Sequence, residues 1–128
     1  MIDHFGFPVR DFKRSQTFYE TVLAPLGYGV LMQVTAEMTG SGPAVGFGAK
    51  DQRPKFWLVT GTPGNSMHIA FTADSREAVD AFYDAALAVG AKDNGPPGLR
   101  PHYHADYYGA FVFDPDGHNI EAVCHKAP

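Results

Sequence analysis

The sequence predicts an α+β fold of two β-α-β-β-β modules whose sheets pair into one curved, barrel-like mixed sheet with the helices outside. Two observations support this. The first half of the 128-residue chain overlays on the second when the chain is shifted by half its length, and each half opens with a strand pattern followed by a helix pattern. Because a module of about 60 residues buries too little core alone, we expect a single domain, residues 1–128, with modules 1–64 and 65–128.

Identical residues recur at this half-chain offset in the same order. They are His4 and His68, Phe7 and Phe71, Phe18-Tyr19 and Phe82-Tyr83, and Leu23 and Leu87. Three further pairs at this offset are apolar or aromatic without all being identical: Phe5 and Ile69, Phe47 and Phe111, and Phe56 and Ile120. Chance coincidence among abundant aromatics is the alternative. The shared order favours a duplicated module.

The helices and strands are predicted from the spacing of apolar residues and from capping and turn residues at their ends. In the first module we predict strands at 2–9, 28–35, 44–49 and 55–60, and a helix capped by Asp11 that stops near 25–27. In the second we predict strands at 66–72, 91–93, 107–113 and 118–124, and a helix capped by Asp74 with Glu77 at N3 and stopped at Gly90. The turn 114–117, Asp-Pro-Asp-Gly, joins the last two strands as an antiparallel hairpin.

The last strand carries a carboxylate among apolar neighbours. Side chains alternate along a strand, so Asn119, Glu121 and Val123 share one face. Burying Glu121 is costly unless a cation or hydrogen-bond donors meet it. The two repeat-related strands each offer a histidine, His4 and His68, facing away from their Phe side. We therefore expect His4, His68 and Glu121 to converge and hold Fe(II), Mn(II), Zn(II) or Ni(II). The alternative is two satisfied core histidines and a Glu121 paired with a loop Arg or Lys.

The segment 94–105 is a Gly/Pro-rich loop that carries Arg100, His102, Tyr103 and His104. Long loops within compact domains are often functional, although a plain surface excursion is the alternative.

Composition excludes several function classes. The net charge is −4 without a basic run, which argues against nucleic acid as a partner. Cys124 is the single cysteine, so no intrachain disulfide forms. We see no signal segment and no apolar run long enough for a membrane span, and we expect a cytoplasmic protein that does not bind membranes.

Four motifs resemble the vicinal oxygen chelate superfamily, which includes glyoxalase I, fosfomycin-resistance proteins, extradiol dioxygenases and bleomycin-resistance proteins. They are IDHFGF at the start, FYETVL in the first helix, MHIAF at the opening strand of the second half and FDPDGHNIEAV near the end. The resemblance covers the whole chain. It implies paired modules, one divalent metal in the cleft with ligands His4, His68 and Glu121, and a homodimer.

One departure from glyoxalase I stands out. That enzyme also uses a carboxylate in the last strand of the first module, where the half-chain shift places Trp57 here. A standard glutathione-dependent glyoxalase I is therefore not expected.

Two functions stay open: a metalloenzyme of isomerase, lyase or dioxygenase type acting on a small oxygenated molecule, which we favour, and a metal-free binding protein of the bleomycin-resistance type. For the enzyme we assign catalysis to Glu121, His102 and Tyr108, and substrate contacts to Phe47, Trp57, Arg100, His104 and Tyr107.

Overall fold

A computed structural model describes residues 2–128 and confirms the α+β fold of two β-α-β-β-β modules. In chain order the elements are β1 (Phe5–Val9), α1 (Phe12–Leu23), β2 (Tyr28–Val34), α2 (Ala36–Thr39), β3 (Ala44–Ala49), β4 (Phe56–Thr60), β5 (His68–Thr72), α3 (Arg76–Ala88), β6 (Lys92–Leu99), β7 (Tyr108–Phe113) and β8 (Asn119–Cys124). The helices of this described part are all too short or too polar to cross a membrane.

Each module forms its own four-stranded mixed sheet. The orders are β1-β4-β3-β2 and β5-β8-β7-β6, with β1 parallel to β4 and β5 parallel to β8. The two sheets stay separate and open, so the single barrel-like sheet that we expected is not formed within one chain. The modules meet instead through packing of α1 on α3 and through an aromatic core.

The repeat is visible in the strand registers. Gly6 lies opposite Trp57 in the first sheet, and Ala70 lies opposite Glu121 in the second. A shift by half the chain takes Gly6 to Ala70 and Trp57 to Glu121. Trp57 and Glu121 therefore occupy equivalent places in the two sheets.

The middle strands do not keep this offset. Phe47 lies opposite Phe56, whereas Phe111 lies opposite Glu121. The predicted equivalence of Phe47 and Phe111 is therefore wrong by one position. Because neighbouring residues in a strand point to opposite faces, Phe47 packs in the core and Phe111 lies on the face of Glu121.

Helix capping follows the sequence with one correction. Asp11 caps α1 by accepting a hydrogen bond from the Arg14 amide, as predicted. For α3 the cap is Ser75 rather than Asp74, because the Ser75 hydroxyl accepts from the Ala78 amide. Gly90, which follows the end of this helix, has a φ of 87°, a conformation that glycine adopts without strain.

Half of the predicted loop 94–105 is strand. β6 runs to Leu99 and pairs with β7, with its register interrupted at Gly95. Pro96 and Pro97 are tolerated there because β6 is an edge strand. Both also lie in the gap of its register with β7, between Gly95 and Gly98. The irregular segment that remains spans residues 100–107.

Helix α3 covers one face of the second sheet and leaves the other for a site. It packs on β6, β7 and β8. Ala110, Val112 and Ile120 are fully buried beneath it. The alternation of side chains then places Phe111 and Glu121 on the face turned away from the helix.

Candidate functional site

Glu121 is buried, with 1% of its surface exposed, in the middle of an apolar strand. Each of its carboxylate oxygens meets one partner. Oε1 lies 3.2 Å from Nε2 of His68, and Oε2 accepts a hydrogen bond from the hydroxyl of Tyr107. The expectation that a buried Glu121 requires partners is met by these two side chains.

The tautomer of His68 follows from its second contact. Its Nδ1 lies 3.1 Å from the backbone carbonyl oxygen of Asn119. A carbonyl only accepts, so Nδ1 carries the proton and neutral His68 has its lone pair on Nε2. That lone pair faces the Glu121 carboxylate. Two acceptors in this arrangement require a cation between them, which is either a proton on Nε2 or a metal ion.

The pair fits a divalent metal ion. Ligand bonds of ~2.0–2.2 Å at angles of ~90–110° put two ligand atoms ~3.0–3.4 Å apart, and the observed separation of Nε2 and Oε1 is 3.2 Å. A ligating histidine usually donates its other ring N–H to a carbonyl, and a ligating carboxylate is usually hydrogen-bonded in turn. His68 and Glu121 have both features, through Asn119 and Tyr107.

His4 lies outside this pair in a single chain. Its Nδ1 contacts the carboxylate of Asp3, both side chains are exposed, and the hydrogen bond from His4 lowers the pKa of Asp3. Residues 2–128 of one chain contain no group of three His, Cys, Asp or Glu side chains arranged to hold a metal. The predicted convergence with His68 and Glu121 therefore does not occur within one chain, because β1 and β8 belong to different sheets.

A cavity of about 660 Å³ adjoins the pair. It is lined by His68, His102, Tyr103, His104, Tyr107, Phe111, Asn119 and Glu121. The segment 100–107 forms one wall, in which the rings of His102 and Tyr103 lie 4.2 Å apart. The predicted substrate and proton-transfer residues His102, His104 and Tyr107 are thus brought together beside Glu121.

Tyr107 is held as a hydrogen-bond donor. Burial and, after it, the hydrogen bond to Glu121 raise the pKa of the Tyr107 phenol well above its usual value. The phenol therefore keeps its proton at any pH at which the protein would be assayed, and it can donate to the ionised carboxylate.

His104 anchors the wall. The Asp106 amide donates to its Nδ1, so Nε2 carries the proton and donates to Nδ1 of His125 at 2.9 Å. Both ring nitrogens of His104 are thus used within the protein, and the residue stabilises the 100–107 segment rather than offering a free base.

Two other predicted residues point elsewhere. The Tyr108 hydroxyl donates to Asp80 of α3 at 2.7 Å, on the opposite face of the sheet from Glu121. The guanidinium of Arg100 donates to the carbonyls of Gly98 and Pro96 and lies 5.4 Å from the ring of Phe111. Arg100 therefore supports the back of Phe111 instead of lining the cavity.

The two predicted stacking residues lie on the first module and on opposite faces. Phe47 is in the core, 1% exposed. Trp57 is half-buried on the other face, where a Cβ atom on Gly46 would stand 2.9 Å from the indole and one on Gly6 would stand 2.8 Å from its Cβ. Glycine on both neighbouring strands makes the room for the indole against the sheet.

Sequence reasoning missed Asn119 and His125 as site residues. Asn119 had a signal, because it is two positions before Glu121 on the same strand face. His125 follows the last strand and contacts His104 and Tyr107 only through the fold of residues 100–107, which no local pattern predicts.

Comparisons with known proteins agree with this architecture. Residues 1–122 match the family model described as Glyoxalase/Bleomycin resistance protein/Dioxygenase superfamily. A glyoxalase/bleomycin resistance protein from Albidiferax ferrireducens is similar in structure, with 27% identity, 98% of each chain covered and a TM-score of 0.74. No curated protein matches the chain.

Two further solved structures share the fold. TnmS3, an antibiotic binding protein from Streptomyces sp. CB03234, has 21% identity over 97% of this chain and 94% of its own, with a TM-score of 0.68. A mutant fosfomycin resistance protein, FosX from Listeria monocytogenes, complexed with Mn(II) and 1S,2S-dihydroxypropylphosphonic acid, has 17% identity over 96% and 88%, with a TM-score of 0.67. The chain belongs to the glyoxalase/bleomycin resistance protein/dioxygenase superfamily.

Proposed function

We propose that this protein is a divalent-metal-dependent enzyme that acts on a small oxygenated molecule. The observation that carries the proposal is the lone pair of His68 Nε2 facing Glu121 Oε1 at 3.2 Å. His68 and Glu121 supply two ligands to Zn(II), Ni(II), Mn(II) or Fe(II), and His4 of a second copy supplies the third. Mn(II) in the similar FosX structure supports a metal of this class.

A second copy is invoked because one chain leaves both halves of the site incomplete. His4 has Nδ1 engaged by Asp3, which leaves Nε2 for a ligand bond. His4 and Gly6 are exposed at the start of the first sheet. In a homodimer with two-fold symmetry, the first sheet of each copy faces the second sheet of the other, which builds two equal sites.

The metal supplies Lewis-acid polarisation of substrate oxygens and stabilises negative charge that develops on them. The protein's own residues do the rest. Tyr107 holds the Glu121 carboxylate, and the imidazole of His102 in the cavity wall exchanges a proton with the substrate. The rings of Tyr103 and Phe111 pack on the substrate's apolar part, and the Asn119 side chain donates to one of its oxygens.

A second candidate is a metal-free small-molecule binding protein. The specific observation in its favour is Trp57, whose indole lies against Gly46 and offers a flat aromatic surface. The similar TnmS3 is an antibiotic binding protein. In this case a proton on His68 Nε2 is the cation that meets Glu121.

Subunit complementation tests the enzyme proposal. We expect His4→Ala and Glu121→Ala chains each to bind Mn(II) or Zn(II) weakly alone. Co-expressed with two tags that contain no histidine, they form a heterodimer in which one site regains all three ligands. The expected result is one tightly bound metal per heterodimer, half the wild-type content, measured by elemental analysis and isothermal titration calorimetry.

The other outcomes are informative. Zero tight sites in the heterodimer would mean that His4 and Glu121 must come from the same chain, which would contradict a site shared between two copies. Full metal binding by the His4→Ala protein alone would show that His4 is not a ligand. A wild-type protein that binds no metal favours the metal-free candidate, and a sedimentation mass near the 13.9 kDa of one chain would contradict the homodimer.

A further inference from the structure

Adjacent tyrosines make the same kind of hydrogen bond on opposite faces of the second sheet. The Tyr107 hydroxyl donates to Oε2 of Glu121, and the Tyr108 hydroxyl donates to Oδ1 of Asp80. Only the first of these carboxylates faces His68. The Tyr107 bond therefore acts on the site, whereas the Tyr108 bond fastens helix α3 to β7.

We propose that Tyr107 is a positioning residue that makes Glu121 a one-oxygen metal ligand. Its hydroxyl occupies Oε2, so Oε1 is the oxygen presented towards His68 Nε2. This inference rests on the proposed metal site. Without Tyr107 the carboxylate is free to rotate, and both oxygens compete for the ion.

The position of the Tyr107 hydroxyl is itself fixed. The ring packs against Tyr103, His104 and His125, with centroids 4.8, 5.4 and 5.3 Å away. The His104–His125 hydrogen bond ties these neighbours together. Tyr107 thus has little freedom to leave the carboxylate when Glu121 takes a second partner.

Gly109 leaves room for this bond. A Cβ atom at position 109 would stand 3.1 Å from Oε2 of Glu121 and 3.3 Å from the Tyr107 ring. Both contacts are tight enough that the two side chains would have to move. Glycine at this place is therefore part of the arrangement that holds Oε2 against the phenol.

The consequence concerns the number of coordination positions. A carboxylate bound through one oxygen takes one position, whereas one bound through both takes two. Holding Oε2 on Tyr107 keeps an additional position open for a substrate oxygen. It also disfavours Ca²⁺, which prefers more oxygen ligands and two-oxygen carboxylates.

The test compares Tyr107→Phe with Tyr108→Phe, which removes the same group from the neighbouring residue. Mn(II) and Zn(II) affinity is measured by calorimetry, and infrared difference spectra of protein with ¹³C-labelled glutamate report whether the carboxylate binds through one oxygen or two. We expect Tyr107→Phe to weaken metal binding ~10–100-fold and to shift the labelled band from the one-oxygen to the two-oxygen pattern. Tyr108→Phe should match the wild type in both.

Unchanged affinity and band pattern in Tyr107→Phe, or an equal change in Tyr108→Phe, would overturn the inference while leaving the metal site standing. A wild-type protein without metal would overturn both. If circular dichroism shows that Tyr107→Phe does not fold, Gly109→Ala serves instead. That variant keeps the Tyr107 hydroxyl but displaces it from Glu121. An unaltered band in Gly109→Ala would then count against the positioning role.

Discussion

Replacing His68 with alanine is expected to remove more metal affinity than the ~100-fold that loss of an outer-shell partner costs. The imidazole supplies the lone pair that faces Glu121 Oε1 at 3.2 Å. Without it a divalent ion keeps one ligand from this chain. Calorimetric titration with Mn(II) or Zn(II) of protein purified without a His-tag measures the change.

His102→Ala is the matched control for metal affinity. His102 lies in the wall of the same cavity and its ring contacts Tyr103 rather than a carboxylate. We expect its metal affinity to equal that of the wild type. Full metal content in a His4→Ala/His68→Ala double variant would show that the histidines are not ligands.

The wild-type protein is expected to be a poor glutathione-dependent glyoxalase I. That isomerisation moves a proton between adjacent carbons and requires a base beside the metal. The strand registers put Trp57 at the place equivalent to Glu121, and an indole can neither accept that proton nor supply a carboxylate. Since a general base contributes ~10²–10⁴ in rate, we expect kcat/KM for the methylglyoxal–glutathione adduct to stay below ~10⁵ M⁻¹s⁻¹ with Ni(II), Zn(II), Mn(II) or Fe(II).

Trp57→Glu sharpens this expectation. A carboxylate at this position supplies the missing group, and we expect the same assay to rise by at least ~10². Trp57→Gln has a side chain of the same size as glutamate without the charge and should not gain. A wild-type rate above the threshold with any of the four metals would mean that another residue, with His102 the first to examine, serves as the base.

The repeat and the strand period predicted much of the site. The half-chain offset survives in the outer parallel pairs, so it correctly equated Trp57 with Glu121. Alternation along β8 placed Glu121 on one face with Asn119. Burial of a carboxylate in an apolar strand then predicted that partners must exist, and His68 is one of them.

Other features depend on contacts that local sequence does not encode. Tyr107 and Tyr108 look alike in the sequence, and which of them reaches Glu121 is decided by where β7 begins and by Asp80 on α3. Pairing of β6 with β7 as far as Leu99, across a register break at Gly95, makes half of the predicted loop a strand. His4 is the counterpart of His68 at the half-chain offset in the sequence, yet equivalence within a repeat does not bring two sheets of one chain together.

Anomalous diffraction from crystals of untagged protein, grown with the metal it retains on purification, tests the central proposal most directly. We expect one strong peak per chain, ~2.0–2.2 Å from both His68 Nε2 and Glu121 Oε1, with His4 of the partner copy as the third ligand. A map without a peak at this position, in which Nε2 and Oε1 remain 3.2 Å apart as an ion pair, would contradict it.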